Sequence, residues 1–79
     1  MRIDKFLKVS RVIKRRTVAT EACNNGRIKI NDKVVKASSE VKVGDIVEVA
    51  FGDKVIKFQV VEVKETVKAE EVTNIIKFI

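Results

Sequence analysis

The spacing of apolar residues in the first third of the chain predicts two helices. The first runs from Arg2 to Ile13, because its apolar residues recur every three or four positions and share one side of a helical wheel. That side consists of Ile3, Phe6, Leu7 and Ser10. The opposite side carries charges, at Arg2, Asp4, Lys5 and Lys8. The pattern therefore predicts an amphipathic helix with a mostly basic polar side.

A second helix is predicted to start at the basic run 14–17 and to end at about Asn25. Three consecutive cations fit poorly in a compact core, so the run itself reads as an exposed link. The apolar side of this helix comprises Val18, Ala19, Ala22 and Cys23. Gly26 is a suitable stop, since glycine adopts the left-handed conformation after a helix without a Cβ penalty.

After Gly26 the apolar period changes to two, which predicts short strands. Tight turns are indicated at Asn31-Asp32 and at Gly52-Asp53, the latter with glycine first, as a type II′ hairpin needs. The first predicted strand opens at Arg27 and alternates Ile28 and Ile30 with Lys29 before the turn at Asn31. The strands predicted after it are 33–35, 46–51 and 54–63. The segment 67–79 favours a helix at 67–72, a strand at 74–79, or both.

This order of elements predicts an α+β fold, in which two short helices pack on a small, bent, mostly antiparallel sheet of about four to five strands. The chain has 79 residues, enough for one domain with one small core. We expect that core in residues 1–63, with the helix or strand of 67–79 attached to it.

Composition argues against catalysis. The chain has no His to serve as a base near pH 7, and its single Cys excludes an internal disulfide and a multi-cysteine zinc site. Cys23 lies on the predicted apolar side and is more typical of a small core residue than of a nucleophile. No phosphate-binding glycine motif is present. We therefore expect no enzyme activity, no metal and no cofactor.

Charge is divided unevenly along the chain. Of 17 basic and 11 acidic residues, residues 1–36 hold 11 basic and three acidic ones, a net of +8, whereas residues 37–79 hold six and eight, a net of −2. A basic half joined to a slightly acidic half predicts one cationic face, for which polyanions are the natural partners. Aromatic residues do not alternate with the charges, so we expect recognition of RNA shape and backbone rather than base stacking.

The candidate RNA-binding residues lie on the first helix, in the link after it and at the start of the first strand. They are Arg2, Asp4, Lys5, Lys8, Arg11, Lys14, Arg15, Arg16, Thr17, Arg27 and Lys29. Asp4 is the one acid among them, and two interpretations stay open. It forms an i,i+4 pair with Lys8, or it orients Arg16 or Lys8 toward RNA.

Membrane association is disfavoured. Charges interrupt every apolar stretch near the N-terminus, and no run approaches 18 apolar residues, so neither a signal peptide nor a spanning helix is predicted. The first helix is basic and amphipathic, but the small core needs its apolar side. We expect a cytoplasmic protein.

Several spaced motifs resemble the S4 RNA-binding domain, also called the αL motif. They are Arg2-Ile3-Asp4-Lys5-Phe6-Leu7, Val9-Ser10-Arg11, Lys14-Arg15-Arg16-Thr17, Gly26-Arg27-Ile28-Lys29-Ile30-Asn31, Lys36-Ala37-Ser38 and Lys42-Val43-Gly44-Asp45. The resemblance covers roughly residues 1–63. It implies that the basic side of the two helices binds RNA, and Arg2, Asp4, Lys8 and Arg16 fall on that side by position.

The nearly unbroken match over residues 2–17 resembles the stand-alone RqcP (YabO) family of this domain, and is similar to a longer bacterial heat-shock member. The resemblance implies a factor that binds the 50S subunit carrying an obstructed peptidyl-tRNA, and we expect it to be a monomer. It would contact 23S rRNA and the P-site tRNA, and support an RqcH-type factor in C-terminal alanine tailing. The alternative is a general rRNA- or tRNA-binding heat-shock or ribosome-assembly factor without a role in tailing. The heat-shock member's basic C-terminal extension has no counterpart within these 79 residues.

Overall fold

The computed structural model describes all 79 residues. Its helices are α1 (Ile3–Val9), α2 (Arg16–Asn24) and α3 (Val72–Ile75), the last preceded by a 3₁₀ turn at Ala69–Glu71. Its strands are β1 (Ile28–Ile30), β2 (Lys33–Val34), β3 (Ile46–Phe51), β4 (Lys54–Val60) and β5 (Ile76–Phe78). The five strands form one antiparallel sheet in the order β2-β1-β3-β4-β5, which confirms the predicted fold class.

Helix α1 confirms the predicted apolar side but ends earlier than Ile13. Ile3, Phe6 and Leu7 are fully buried, and so is Ser10, whose hydroxyl donates to the carbonyl of Leu7 at 3.2 Å. The helix cannot continue past Ser10 because Arg11 has φ = 63°, in the left-handed region. The link to α2 therefore begins four residues earlier than the hydrophobic pattern indicated.

Helix α2 ends before Gly26, as predicted, where φ is 74°. One residue of its predicted apolar side is misplaced, since Val18 is 45% exposed. The buried stripe is narrow and consists of Ala19, Ala22 and Cys23. Val18 lies about 90° from the centre of that stripe at 100° per residue, so it remains at the edge of the helix contact.

Both predicted hairpin turns are present. Asn31 and Asp32 have φ values of 51° and 68°, so both central positions are left-handed, as in a type I′ turn. In the second hairpin only Gly52, with φ = 52°, is left-handed, as the predicted type II′ turn requires. The strand after it ends at Val60 rather than 63, because Gln59 already pairs with Ile46, where β3 begins.

The C-terminal segment contains both a helix and a strand. The helix lies later than the predicted 67–72, and β5 pairs with β4 within the predicted strand 74–79. Ile75 is fully buried and Ile76 is 3% exposed. The hydrophobic core therefore extends beyond residue 63 and includes the junction between α3 and β5.

The core lies between the helices and one side of the sheet. The sheet contributes alternate residues from its three central strands: Ile28, Ile30, Val47, Val49, Phe58 and Val60. The ring of Phe6 on α1 stacks with that of Phe58 on β4 at a centroid distance of 6.4 Å. No helix of the protein is long and apolar enough to cross a membrane.

Candidate nucleic-acid interface

A buried carboxylate, Asp4, connects the two N-terminal helices. Asp4 is 1% exposed, so the prediction that it lies on the exposed basic side of α1 is wrong. One carboxylate oxygen accepts the backbone N–H of Lys5 at 2.8 Å, and the other accepts the hydroxyl of Thr20 on α2 at 3.0 Å. Burial is tolerated because every buried side-chain polar atom has a hydrogen-bond partner.

Two guanidinium groups flank this carboxylate. Arg2 donates to Asp4 from Nε and from Nη2, each at 3.2 Å, in a forked arrangement. Nη2 of Arg16, the first residue of α2, lies 3.7 Å from the carboxylate. Both arginine side chains remain about half exposed, at 51% and 47%. Of the two interpretations of Asp4, the geometry agrees with the orientation of Arg16 and contains no ion pair with Lys8.

The environment of Asp4 stabilises its charged form. Burial by itself would raise the pKa of the carboxyl group. The hydrogen bonds from Thr20 and from the Lys5 backbone, together with the charges of Arg2 and Arg16, outweigh that and hold the pKa below its ordinary value of 3.8. Asp4 is therefore ionised at neutral pH and holds a fixed negative charge between the two arginines.

Around this cluster lies an open depression, here called the α1–α2 groove. It has a volume of about 510 Å³ and is lined by Arg2, Asp4, Arg16, Thr17, Thr20 and Glu21. Its two cations are matched by two carboxylates. The net charge of the groove is therefore zero. The buried carboxylate of Asp4 holds the orientation of its two guanidinium groups.

A second depression lies at the other end of α1 and is here called the α1-end cavity. It has a volume of about 560 Å³ and is lined by Lys8, Val9, Arg11, Lys14, Glu65, Thr66 and Val67. Three cations face one carboxylate, so its local charge is positive. Glu65 also forms an ion pair with Lys5. The hydrogen bond and charge of Lys5 lower the pKa of Glu65, whose side chain is exposed.

The structure brings together most, but not all, of the residues predicted for the site. Arg2, Asp4, Arg16 and Thr17 line the α1–α2 groove, and Lys8, Arg11 and Lys14 line the α1-end cavity, with Lys5 paired beside it. Arg15 is exposed at the residue before α2. Arg27 is exposed beyond the far end of α2. These ten residues lie on or beside α1 and α2.

Lys29 is placed apart from this group. Ile28 and Ile30 point into the core under the helices, so the alternation along β1 directs Lys29 to the opposite side of the sheet. There it lies directly opposite Glu48 of β3, which in turn pairs with Lys57 of β4. Lys29 therefore does not share a surface with the helix cations.

Sequence reasoning missed six residues that line the two depressions, namely Val9, Thr20, Glu21, Glu65, Thr66 and Val67. Thr20 lies one helical turn after Arg16, and this i,i+4 spacing is a signal that places both on one side of α2. Glu65, Thr66 and Val67 gave no such signal, since they meet α1 only through tertiary packing of segments about 60 residues apart.

Cys23 has no role in either depression. It is fully buried in the core, and burial, helped by the negative charge of Asp4, raises the pKa of its thiol to about 11. The thiol is thus neutral at physiological pH and is a poor nucleophile.

Comparison with known proteins shows the family of the chain. The family model described as S4 domain matches residues 1–47, which include α1, α2, β1 and β2. The RQC P-site tRNA stabilizing factor of Bacillus subtilis is 58% identical over 74 residues, which are 94% of this chain and 86% of that protein. The chain belongs to this family of S4 domain proteins. A relative of the same name from Streptococcus pneumoniae is 48% identical over 79 residues, which are 100% of this chain and 90% of that protein.

Solved structures confirm the fold. The Vibrio cholerae Heat Shock Protein 15 superposes with a TM-score of 0.92 over 100% of this chain and 81% of that chain; at 21% identity this likeness concerns the fold alone. The solution structure of the hypothetical protein HP1423 has a TM-score of 0.85 at 32% identity, over 99% of this chain and 95% of that one.

Proposed function

We propose that this protein binds RNA on the large ribosomal subunit during ribosome quality control, where it holds the P-site tRNA. It binds the 50S subunit that carries an obstructed peptidyl-tRNA and contacts 23S rRNA beside the tRNA. It thereby supports an RqcH-type factor that adds C-terminal alanine tails. It acts as a monomer in the cytoplasm, by binding and without catalysis.

The observation that carries this proposal is the pair of half-exposed guanidinium groups at the α1–α2 groove. Arg2 and Arg16 are held by one buried carboxylate, so their donors are oriented before any ligand arrives. Guanidinium groups match phosphate oxygens with two parallel hydrogen bonds. Two such groups on neighbouring helices suit the sugar–phosphate backbone of a folded RNA.

The uneven charge supports the same partner. Residues 1–36 carry a net charge of +8, and eight of their 11 basic residues lie on or beside α1 and α2, whereas residues 37–79 carry a net charge of −2. A cationic face gains affinity for RNA by releasing counterions from phosphates, and that gain falls with salt. The relatives' name supports the identity of the RNA, since those proteins are named for stabilising the P-site tRNA in RQC.

The test is sedimentation of the full-length protein with ribosomes from cells in which translation is stalled. We expect the wild-type chain to migrate with free 50S subunits and Arg16→Ala to shift toward the top of the gradient. Lys57→Ala is the matched control, since it removes one exposed cation from the opposite side of the sheet. Both variants should remain folded, because neither side chain is in the core.

Binding of purified 50S subunits should also weaken steeply with added salt. Migration with small subunits, or equal loss for Arg16→Ala and Lys57→Ala, would contradict the proposal. The link to the RqcH-type factor is tested in a strain that lacks the protein. If the protein migrates with 50S subunits but its loss leaves alanine tailing unchanged, that link is contradicted.

A further inference from the structure

We propose that the α1-end cavity is a second phosphate site, which binds one sugar–phosphate unit of the RNA separately from the α1–α2 groove. This inference rests on the proposed RNA-binding function and adds to it a site of its own. Its ligand is the RNA backbone phosphate, held by Lys8, Arg11 and Lys14.

The first observation is that these three cations are unpaired. No carboxylate lies within 4.0 Å of the charged group of Lys8, Arg11 or Lys14, whereas Arg2, Lys5 and Arg16 each have an acidic partner. The one acid of the cavity, Glu65, is paired with Lys5. The cavity therefore carries uncompensated positive charge in a concave surface, where field lines converge and attract an anion.

The second observation concerns the backbone at Arg11. Its φ of 63° lies in the left-handed region, where glycine is favoured and a residue with a Cβ atom is strained. The chain must turn there to end α1, and a glycine would make that turn with less strain. An arginine at a strained position beside two other unpaired cations indicates that its side chain has a use.

The third observation is the shape of the cavity. Its volume of about 560 Å³ exceeds that of a lone phosphate group, and Val9 and Val67 provide half-buried apolar walls beside the cations. Thr66 adds a hydroxyl at the rim. The cavity can thus hold a ribose together with its phosphate, while the absence of aromatic side chains in its lining gives no surface for base stacking.

The two sites lie at opposite ends of α1 and are formed by different residues. They share no lining residue, and the seven residues of α1 lie between Arg2 and the cations beyond Val9, a rise of about 10 Å. Loss of one site is therefore expected to leave the geometry of the other intact.

The test is Arg11→Gly in the full-length chain. The substitution relieves the strained backbone, so the melting temperature should stay the same or rise. The affinity for 50S subunits should nevertheless fall several-fold, and the slope of log affinity against log salt should decrease by about one, as expected for one lost phosphate contact. Lys57→Ala is the control for charge, since it removes one positive charge elsewhere and should leave the slope unchanged. Asp32→Gly is the control for backbone strain, since it measures the stability that glycine gains at another left-handed position.

A second measurement is independent of the ribosome. Inorganic phosphate titrated into the wild-type chain should shift the backbone amide NMR signals of residues 11–14 and 65–67. Arg11→Gly should abolish those shifts and retain any at the α1–α2 groove. Phosphate shifts confined to Arg2 and Arg16 would overturn the second site.

The outcomes separate this inference from the proposed function. If Arg16→Ala loses 50S binding while Arg11→Gly matches Lys57→Ala, the α1-end cavity is not a phosphate site and the proposed function stands. If the wild-type chain does not bind 50S subunits but phosphate shifts appear at the cavity, the phosphate site stands and the proposed function fails.

Discussion

The two depressions at the ends of α1 differ in how their charges are compensated. In the α1–α2 groove, Arg2 and Arg16 share Asp4, and Glu21 balances the remaining charge. In the α1-end cavity, three cations face a single carboxylate that is itself engaged with Lys5. One site has fixed geometry and little net charge, whereas the other has net charge and few contacts that would fix its side chains.

Under the proposed RNA-binding function, this difference predicts a division of roles. Uncompensated charge acts over a Debye length of about 8 Å at physiological salt, so we expect the α1-end cavity to contribute more to initial attraction. Guanidinium groups held in advance lose less conformational freedom on binding, so we expect the α1–α2 groove to contribute more to register and orientation. The predictions below separate the two sites, beginning with a change that removes both.

Both sites depend on the seating of α1 in the core, and Leu7→Ala should destroy them together. Leu7 is fully buried, and its truncation should reduce the free energy of unfolding by about 2–5 kcal/mol. That is a large share of the stability of so small a domain, so a mostly unfolded chain without 50S affinity is expected. Chemical denaturation followed by circular dichroism measures the loss.

The control for this truncation is Val18→Ala, since Val18 lies on the neighbouring helix but is 45% exposed. Its effect on the free energy of unfolding should remain within about 0.5 kcal/mol. A similarly small effect of Leu7→Ala would contradict the packing of α1 described above.

Hydrophobic periodicity was sufficient to predict α1, α2 and the two hairpins, because each of them depends on local spacing and on turn residues. It could not predict the left-handed Arg11, which follows from the need to end α1 so that Ile13 returns to the core. Nor could it decide between helix and strand in the tail. That segment becomes a strand at 76–78 only because β4 offers a free edge, which is a tertiary property.

The sequence predicted the basic composition of the candidate site, but not how its residues are divided between the two depressions and the far side of the sheet. Net charge identified α1 and the link as basic, yet a helical wheel assigned Asp4 to the exposed side. Asp4 is buried because α2 covers it and supplies Thr20 and Arg16 as partners. The alternation of apolar and polar residues predicted a strand at Lys29. That Glu48 lies opposite Lys29 depends on how β1 pairs with β3, which the alternation does not determine.

Asp4→Asn should affect the α1–α2 groove alone. The amide keeps the shape of the carboxyl group but removes the charge that Arg2 and Arg16 share. The carboxylate accepts hydrogen bonds from Arg2, Thr20 and the backbone of Lys5, and hydrogen bonds to a charged group are each worth about 1.5–3 kcal/mol, so we expect a loss of this order in the free energy of unfolding. RNA affinity should fall although the net positive charge rises by one, because the arginines lose their orientation.

Glu21→Gln tests whether charge alone explains that result. It removes the other carboxylate of the same groove, which is exposed, and should change stability little. An affinity that rises equally in Asp4→Asn and Glu21→Gln would show that Asp4 acts only as a negative charge and has no positioning role.

The lowered pKa of Asp4 predicts a pH dependence with a defined sign. Because the folded state binds the proton less tightly than the unfolded chain does, ionised Asp4 stabilises the fold above the ordinary value of 3.8. That contribution should disappear as the pH falls from about 5 through 3.8 and on through the lower folded value. Urea denaturation between pH 6 and pH 2.5 should therefore show the wild-type and Asp4→Asn curves converging in acid. A stability difference that is constant over this range would contradict the assignment.

The smallest effect is expected from Glu65→Gln at the rim of the α1-end cavity. The side chain of Glu65 is exposed, and surface ion pairs of this kind contribute little to stability, so the melting temperature should not change. Lys5, however, would become unpaired beside three further cations, and the affinity for 50S subunits at low salt should rise. Glu62→Gln is the matched control, since Glu62 is an exposed acid three residues away that pairs with Lys64 outside the cavity. If both substitutions raise the affinity equally, the gain reflects net charge alone, and the contact between Lys5 and Glu65 does not limit RNA binding at the cavity.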